Sequence, residues 1–310
     1  MGSQEHAFVT GGTGVVGRAV VKRLLARGMN VTMLLRAGAE ERRRVALDAL
    51  RHKASEHGGS LSFVAGDLSK PRLALDDAAI RALSEAGHCF HIAALYDIEA
   101  DADALARTNV EGTKHLLLVL QEAGFDGRLH HVSSVAVAGD YSNTFTESMF
   151  AEGQSFPHPY HRSKYESEKL VRESRFDYRI YRPSSVVGDS TTGAIDKIDG
   201  VYFSFGAIQK LAYALPAWVR LPAPRIRGAF NVVPVDYVAD AMVYIALHDA
   251  EARVFHLVDP KPPSLTKMAN LFLAAARGPK LGPTLDLGKM PGAKKTAALV
   301  SMLPSFRELR

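Results

Sequence analysis

The sequence TGGTGVVG at residues 10–17 follows the apolar run AFVT and precedes a long run of helix-forming residues. Its three glycines, Gly11, Gly14 and Gly17, are spaced three residues apart. Backbone N–H groups and the dipole at a helix start can hold a pyrophosphate, so this order predicts a dinucleotide site. Gly11 would permit the tight turn, Gly14 the approach of the phosphate, and Gly17 close packing of helix on strand. A glycine-rich turn without a ligand is the alternative, which the flanking strand and helix disfavour.

The composition of the 310-residue chain is that of an ordinary globular protein, with 47% hydrophobic and 23% charged residues. The single cysteine, Cys89, excludes a disulfide framework and is expected to pack as a small apolar residue within a strand. The start of the chain resembles no targeting segment and no window is long enough for a membrane span, which predicts a cytoplasmic protein. The twelve histidines show no metal-ligand spacing, and no nucleic-acid-binding pattern is found, so neither partner is predicted.

Short β-rich runs alternate with longer runs of helical period along most of the chain. The predicted strands are residues 7–10, 30–36, 61–66, 88–93, 128–134, 178–182 and 253–258. The predicted helices are residues 15–27, 40–57, 75–86, 101–123, 160–174 and 235–248. This alternation predicts an α/β fold with a doubly wound parallel sheet and helices on both faces, the Rossmann arrangement.

The regular pattern ends near residue 183. We therefore predict a dinucleotide-binding core over residues 1–183 and a smaller substrate-binding region over 184–310, from which residues 234–258 return to the core. Several aromatic residues of this region either line a channel for an acyl chain or form plain core: Tyr202, Phe203, Phe205, Tyr213 and Trp218. The basic amphipathic end, residues 294–310, is interpreted as a lid, a peripheral membrane contact or the start of a longer polypeptide.

Arg36 indicates which nicotinamide dinucleotide the site prefers. It stands at the end of the second predicted strand, where NAD sites carry an acidic residue for the ribose 2′-hydroxyl. A guanidinium there suits a 2′-phosphate, so NADP(H) is favoured; a surface arginine is the alternative. Arg18 and the run ERRR at residues 41–44 are further phosphate candidates, although such a run is also typical of a solvated helix face.

Two segments at the predicted carboxyl edge of the sheet carry the candidate catalytic residues. HHVSSVAVAG places Ser134 at a strand end, and YHRSK places Tyr160 and Lys164 four residues apart on one helix face. An ammonium near a phenol stabilises the phenolate and lowers its pKa, which suits proton transfer. YESEK offers a second Tyr–Lys pair, Tyr165 and Lys169, which we interpret as structural because only the first pair has the surrounding Y..SK..SEKLV pattern.

These segments together resemble the extended short-chain dehydrogenases/reductases over residues 7–245. The resemblance rests on TGGTGVVGRAVVKRLL, HIAAL, TNVEGT, HVSSVAVAG, YHRSK, YRPSSVVGDSTTG and NVVPVDYVADA, which occur in the order expected of that group. LLRAGAEERRRVALDAL, VAGDLSKPRLAL and NVVPVDYVA are most similar to its thioester-reductase and fatty acyl-CoA reductase branch. Ser134 stands where many members of the branch carry threonine, and either hydroxyl would serve.

The resemblance implies the roles of individual residues. Ser134, Tyr160 and Lys164 would perform catalysis, Asn109 would belong to the active-site polar network, and Asp67 would bond the adenine. The cofactor-binding residues would be Thr10, Gly11, Gly12, Thr13, Gly14, Val15, Val16, Gly17, Arg36, Asp67, Leu68, Ala93, Ala94, Ser133, Tyr160, Lys164, Pro183, Ser184, Ser185 and Val186. The residues around Pro183 would line the nicotinamide pocket.

The function expected from this resemblance is NADPH-dependent reduction of a fatty acyl thioester, carried on CoA or acyl-carrier protein, or of a long-chain aldehyde. The product would be an aldehyde or an alcohol, in lipid metabolism. Two other enzyme classes share the fold: NADP-dependent hydroxysteroid or flavonoid-type ketone reductases, and NAD-dependent nucleotide-sugar epimerases, which Arg36 disfavours. A non-catalytic NADP(H) sensor is a further alternative, and the retained Tyr160–Lys164 pair disfavours it.

Overall fold

The computed structural model describes residues 5–96, 100–195, 205–215, 217–224 and 228–285. In these ranges the strands are β1 (His6–Thr10), β2 (Asn30–Leu35), β3 (Ser60–Ala65), β4 (His88–His91), β5 (Arg128–Val132), β6 (Tyr178–Pro183), β7 (Ser185–Val187), β8 (Arg220–Pro224), β9 (Val232–Pro234), β10 (Val254–Leu257) and β11 (Lys280–Leu285). The α-helices of the same ranges are α1 (Val15–Leu25), α2 (Ala39–Arg42), α3 (Arg44–Glu56), α4 (Asp77–Ala82), α5 (Ala102–Leu105), α6 (Gly112–Glu122), α7 (Pro159–Arg172), α8 (Phe205–Ala214), α9 (Val235–Leu247) and α10 (Leu265–Ala275).

Seven of the strands form one parallel sheet in the order β3-β2-β1-β4-β5-β6-β10. The chain winds outward from β1 in both directions, because β1 pairs with β2 on one side and with β4 on the other. This order confirms the predicted doubly wound α/β fold. Sheets of this kind bind ligands at the carboxyl edge where the winding reverses, which here is the gap between β1 and β4.

Helices cover both faces of the sheet because successive strand residues point to opposite sides. Ala7 and Val9 of β1 pack into a core with α1, α3 and α9, whereas Phe8 packs into a second core with α4, α6 and α7. Cys89 on β4 lies in the second core and is fully buried. Its burial raises the pKa of the thiol, so the side chain is placed as packing and not as a nucleophile.

Two of the long predicted helices are interrupted in the structure. The pattern over residues 40–57 predicts one helix, but α2 and α3 are separated at Arg43, whose φ is −120°. The pattern over residues 101–123 also predicts one helix, but a π-helical segment, Ala106–Glu111, lies between α5 and α6. Segments of this kind are rare and occur frequently at functional sites.

The chain divides into two compact units. The first contains residues 1–196 and 233–258, and the second contains residues 197–232 and 259–310. The first unit therefore extends beyond the boundary predicted at residue 183, because β7 follows β6 directly and pairs with β9. In the second unit β8 and β11 form a parallel pair, a pairing that the sequence pattern did not predict.

The predicted aromatic channel is only partly within the described residues. Tyr213 and Trp218 of the second unit are 92% and 82% exposed, so neither is core of that unit. Tyr202, Phe203 and the side chain of Phe205 lie outside the described residues, and so does the basic segment 294–310.

No helix in the described ranges combines the length and the apolar character that crossing a bilayer requires. Within the same ranges, no three or more His, Cys, Asp or Glu side chains are grouped so as to hold a metal ion.

Candidate active site

The glycine turn between β1 and α1 is closed by backbone contacts that leave no room for side chains. Gly11 has a φ of +74°, and a Cβ there would lie 2.6 Å from the Cα of Ala93. A Cβ on Gly17 would lie 2.9 Å from the Cα of Gly12, so the start of α1 rests directly on the turn. The structure thus brings the glycine turn against Ala93, which follows β4 and was predicted as a second cofactor contact.

The start of α1 is suited to an anion. Gly14 is its N-cap residue and provides no side-chain cap, and the first turn contains no acidic residue. The backbone N–H groups of Val15 and Val16 therefore lie at the positive end of the helix dipole, and no carboxylate of the first turn competes for them. A cradle that a Cβ would fill, next to an uncapped helix start, fits the diphosphate of a dinucleotide.

Two arginines, Arg18 and Arg43, lie beside the glycine turn. Arg43 Nη1 donates to the carbonyl oxygen of Thr13 at 3.1 Å, which places its guanidinium on the glycine turn. Burial and the nearby Arg43 lower the pKa of Arg18, so the two cations lie close to one another. They line one small cleft with Gly12 and Thr13. Arg43, at the break between α2 and α3, is exposed but bonds the glycine turn, which agrees with the phosphate-candidate interpretation of the ERRR run.

Arg36 and Asp67 lie beside each other at the ends of the paired strands β2 and β3. Asp67 Oδ1 accepts hydrogen bonds from the backbone N–H of Ser69 at 2.9 Å and from its hydroxyl at 2.8 Å. These bonds, together with the charge of Arg36, lower the pKa of the Asp67 carboxyl. The next residue, Leu68, accepts a hydrogen bond from His115 Nδ1 through its carbonyl at 2.9 Å, which ties this edge to α6.

The first turn of α7 presents Tyr160. Pro159 occupies the first helical position, where a backbone N–H would have no partner within the helix, so proline is tolerated there. His158 Nδ1 accepts a hydrogen bond from the N–H of Tyr160 at 3.1 Å. The helix therefore begins at a fixed residue, and Tyr160 and Lys164 follow one turn apart on the same face.

Consecutive residues at the end of β5 contact α7 at residues spaced one turn apart. Lys164 Nζ donates to the carbonyl oxygen of Val132 at 2.7 Å, and the Ser133 hydroxyl donates to Glu168 at 2.6 Å. Ser134 hydrogen-bonds the Tyr160 phenol. Its oxygen also accepts the N–H of Ala136 at 3.2 Å, which leaves the hydroxyl proton to point at the phenol. The structure thus joins the three predicted catalytic side chains at one strand end.

The pKa values of this group differ from the prediction in one respect. Burial, and then the neighbouring Tyr96, raise the pKa of Tyr160, and the Ser134 hydrogen bond lowers it in part. Lys164, which was predicted to lower the pKa of Tyr160, is not among the groups that do so, because its ammonium is directed to the Val132 carbonyl. Burial lowers the pKa of Lys164 itself to about 8, against the opposing charge of Glu168.

The second Tyr–Lys pair has different surroundings. The Tyr165 ring stacks on Phe150 at a centroid distance of 4.4 Å. Lys169 is 54% exposed and lies 3.8 Å from Glu173. Tyr165 is therefore placed in aromatic packing and Lys169 on the surface, as expected of a structural pair.

Asn109, in the π-helical segment, uses its whole amide inside the protein. Its Nδ2 donates to the carbonyl of Leu95 at 3.1 Å and to the Ser163 hydroxyl at 2.9 Å, and its Oδ1 accepts the N–H of Leu95 at 2.7 Å. Ser163 in turn donates to the carbonyl of Tyr160 at 2.9 Å. Asn109 therefore fastens the segment after β4, which includes the predicted cofactor contacts Ala93 and Ala94, to α7.

Residues 9–242 match the NAD-binding family described as male sterility protein. The chain belongs to this family. A linear gramicidin synthase from Brevibacillus parabrevis is 28% identical over 276 residues, which are 83% of this chain and only 5% of that protein. The terminal R domain from the myxalamid PKS-NRPS biosynthetic pathway superposes with a TM-score of 0.78 at 25% identity, over 100% of this chain and 78% of that one.

A thiolation-reductase di-domain from an archaeal non-ribosomal peptide synthetase shares the fold, with a TM-score of 0.71 at 17% identity over 95% of this chain and 64% of that one. These similarities confirm the predicted place in the thioester-reductase branch of the extended short-chain dehydrogenases/reductases. The protein is an oxidoreductase of that type with an NAD(P)-binding fold.

The residues predicted to line the nicotinamide pocket lie where β6 ends. Pro183 is the last residue of β6, and Ser185 and Val186 belong to β7. Between them, Ser184 is buried and its hydroxyl oxygen has no hydrogen-bond partner, although its N–H bonds the Leu257 carbonyl at 3.2 Å. A buried hydroxyl without a partner fits a ligand amide at this position.

Sequence reasoning missed a chain of hydrogen bonds that links the glycine turn to Asn109. His91 Nδ1 lies 2.8 Å from the Thr10 hydroxyl and His91 Nε2 lies 2.9 Å from the Thr113 hydroxyl. Because the Thr113 hydroxyl donates to the Asn109 carbonyl at 2.6 Å, it must accept from His91 Nε2–H. Thr10 then donates to Nδ1. Burial and the charge of Lys164 lower the pKa of His91 to about 3, so the imidazole stays neutral.

The sequence contained one signal for this role. HIAAL is among the segments that carry the family resemblance, but His91 was considered only in the search for metal-ligand spacing, which predicted no metal. Arg43 stands in the ERRR run and Glu168 in the Y..SK..SEKLV pattern, but neither signal singled out the residue, since charged residues on helices are typical of solvated faces.

Proposed function

We propose that this reductase uses NADPH to reduce an acyl thioester, bound to the phosphopantetheine thiol of a carrier protein, to an aldehyde. The observation that carries the proposal is the joint placement of Ser134 and Tyr160 hydroxyls at the carboxyl end of β5. The gramicidin synthase relative, and the similarity to a thiolation-reductase di-domain, support a substrate tethered to a carrier. Acyl-CoA and free long-chain aldehyde are the other substrates of this chemistry.

The preference for NADPH rests on charge at the adenosine end of the site. Arg36 stands just after β2, where an NAD site has an acidic residue, and Arg18 and Arg43 line a small cleft at the glycine turn. A 2′-phosphate carries close to two negative charges, and each of these guanidiniums can form charge-assisted hydrogen bonds with such a group. The nucleotide-sugar epimerase alternative needs NAD, which these cations do not favour.

The chain's own residues supply the proton and the charge stabilisation. When bound, the cofactor supplies the hydride that the carbonyl carbon accepts. The hydroxyls of Ser134 and Tyr160 would donate hydrogen bonds to the carbonyl oxygen as negative charge develops on it. Transfer of the Tyr160 proton gives a hemithioacetal, whose C–S bond breaks to release the aldehyde and the carrier thiol. Lys164, with a pKa of about 8, can pass a proton at neutral pH.

The test is to follow NADPH absorbance with graded acyl chains presented in three forms: on a phosphopantetheinylated carrier domain, on CoA, and as free aldehydes. We expect carrier-bound thioesters to give the highest kcat/KM, with aldehyde identified as the first product and alcohol as the product of a second hydride transfer. Faster reaction with acyl-CoA would move the assignment to a CoA-dependent reductase. No oxidation of NADPH with any of these compounds would overturn the proposal.

A further inference from the structure

Glu168 carries a carboxylate with no exposed surface. It lies one turn after Lys164 on α7. Its Oε2 accepts the Ser133 hydroxyl at 2.6 Å and Arg182 Nε at 3.1 Å, and its Oε1 accepts Arg182 Nη2 at 2.6 Å and Arg172 Nε at 2.8 Å. Burial alone would raise the pKa of Glu168, but the hydrogen bonds and charges of these neighbours hold that pKa below its usual range. The carboxylate is therefore ionised inside the protein.

Arg182 extends this cluster across the first unit. Its side chain is also fully buried, and besides Glu168 it donates to the carbonyl of Met149 at 3.0 Å and lies 3.2 Å from His256 Nε2. One guanidinium thus joins β6 and α7 to β10 and to the segment before α7. The free-energy cost of removing the two charges of such a pair from water is about as large as the gain from their mutual attraction. Stability alone is therefore a weak reason for a buried pair.

The Ser133 bond to Glu168 lies between two contacts of the catalytic group. On one side is the bond from Lys164 to Val132, and on the other the bond between Ser134 and Tyr160. Because Ser133 and Ser134 are consecutive, the anchored Ser133 fixes the direction from which Ser134 approaches the phenol. The Ser133 N–H bonds the Tyr181 carbonyl at 2.7 Å, so β6 holds the backbone of β5 in the sheet. Loss of the Glu168 anchor would therefore loosen the contact between α7 and this strand end, and not the place of β5 in the sheet.

The charges around Lys164 point to a second effect of the same carboxylate. His91 on β4 and His131 on β5 face the ammonium, and burial together with the charge of Lys164 lowers the pKa of both imidazoles, so both are neutral. Tyr160 is a neutral phenol on the same helix. Arg172 and Arg182 bond Glu168, and Glu168 is the charged group that opposes the effect of burial on the pKa of Lys164.

We propose that Glu168 is a positioning residue: through Ser133 it holds the end of β5 in register with α7, and it supplies the negative charge that faces Lys164. The kinetic part of this inference rests on the proposed reductase function. The charge part concerns the protein itself and has a readout that needs no substrate.

The charge part is tested by titrating Lys164 with side-chain NMR in the purified protein, assigned with Lys164→Met. We expect Glu168→Gln to lower the pKa of Lys164 by about one unit, because one neighbouring negative charge is lost. The double variant Glu168→Gln/Arg172→Gln should recover part of that shift, because it also removes a cation. Glu173→Gln, on the same helix but exposed and paired with Lys169, is the matched control and should leave the titration unchanged.

The positional part is tested by kinetics. Ser133→Ala keeps the charge of Glu168 and removes the anchor, so kcat should fall about tenfold while the pH dependence of kcat stays in place. Glu168→Gln should instead move the high-pH limb of the kcat profile downward together with the Lys164 titration.

An unshifted Lys164 titration in folded Glu168→Gln would overturn the charge part, and a wild-type kcat in Ser133→Ala would overturn the positional part. If Glu168→Gln does not fold, Arg172→Gln replaces it: removing a cation that bonds Glu168 should raise the pKa of Lys164, and no change would count against the inference. A wild-type protein that reduces no thioester or aldehyde but shows the Lys164 shifts would refute the proposed function and leave the charge part standing.

Discussion

Lys164 Nζ lies 2.7 Å from the carbonyl oxygen of Val132, at the strand end that also carries Ser134. This bond directs the ammonium to the backbone of β5, one residue from the anchored Ser133. The lysine therefore joins β5 to α7, one helical turn after Tyr160.

The first prediction concerns the pH dependence of the reaction. The pKa of Lys164 is lowered to about 8, so the charged form is present below that pH and is lost as the pH rises through it. We expect kcat to fall above about pH 8 in the wild type. Lys164→Arg, which stays charged at all accessible pH values, should be slower but lose that limb. A profile of kcat from pH 6 to pH 10 checks both, and an unchanged limb in the arginine variant would contradict the assignment.

The second prediction separates the two Tyr–Lys pairs. Tyr160→Phe removes the proton donor and should lower kcat by about 100-fold or more while NADPH binding is retained. Tyr165→Phe is the matched control: it keeps the ring stacked on Phe150, so kcat should stay within about twofold of the wild type. Equal losses in the two variants would show that the choice of pair is wrong.

The third prediction concerns the cofactor. Arg43→Ala removes a guanidinium that bonds the glycine turn, and we expect the Kd for NADPH to rise about tenfold with little change for NADH. Arg44→Ala removes an exposed neighbour at the start of α3 and serves as the control. The measurement is calorimetric titration with both nucleotides at fixed salt. Equal weakening toward NADPH and NADH would place Arg43 outside any 2′-phosphate site.

The fourth prediction concerns stability in acid. Burial lowers the pKa of His91, His130 and His131 below 6.5, their value in an unfolded chain. The unfolded state therefore binds more protons, and stability is fully present above pH 6.5 and is lost as the pH falls below it. Each such histidine contributes a slope of about 1.4 kcal/mol per pH unit in that range.

His131 allows this to be measured singly. Both of its ring nitrogens are buried without a hydrogen-bond partner, so His131→Leu breaks no hydrogen bond. We expect the variant and the wild type to have the same free energy of unfolding at pH 7.5. Between pH 6.5 and pH 5 the free energy of unfolding should fall less in the variant than in the wild type, as measured by urea unfolding. The same slope in both proteins would show that His131 does not carry a share of the acid sensitivity.

Much of the fold could be predicted from local pattern. All seven predicted strands lie in the central sheet, because buried parallel strands and amphipathic helices leave different periods in the sequence. The break at Arg43 could not be predicted in this way, since ERRRVAL has a continuous helical pattern and the break accompanies a bond to Thr13. Both strands of the β8–β11 pair contain proline, a residue that disfavours strand formation. The pairing therefore depends on tertiary contacts and could not be predicted from the local sequence.

The candidate site also contains residues that could be predicted from the sequence and contacts that could not. The glycine turn and Ser134, Tyr160 and Lys164 are recognisable from residue type and spacing. The Glu168 anchor and the His91 link are not, because each depends on which residue of another strand lies opposite. A glutamate one turn after a catalytic lysine and a histidine inside a strand have the same appearance in a sequence whether they are partnered or not.

The π-helical segment Ala106–Glu111 has a consequence for the length of the chain at this point. A wider turn accommodates one residue more than an α-helix would over the same rise. Deleting a single residue there would return the segment to regular α-helical winding and remove the wider turn that carries Asn109. The bonds between Asn109 and Leu95 depend on that turn, so the number of residues in this stretch matters as well as their identity.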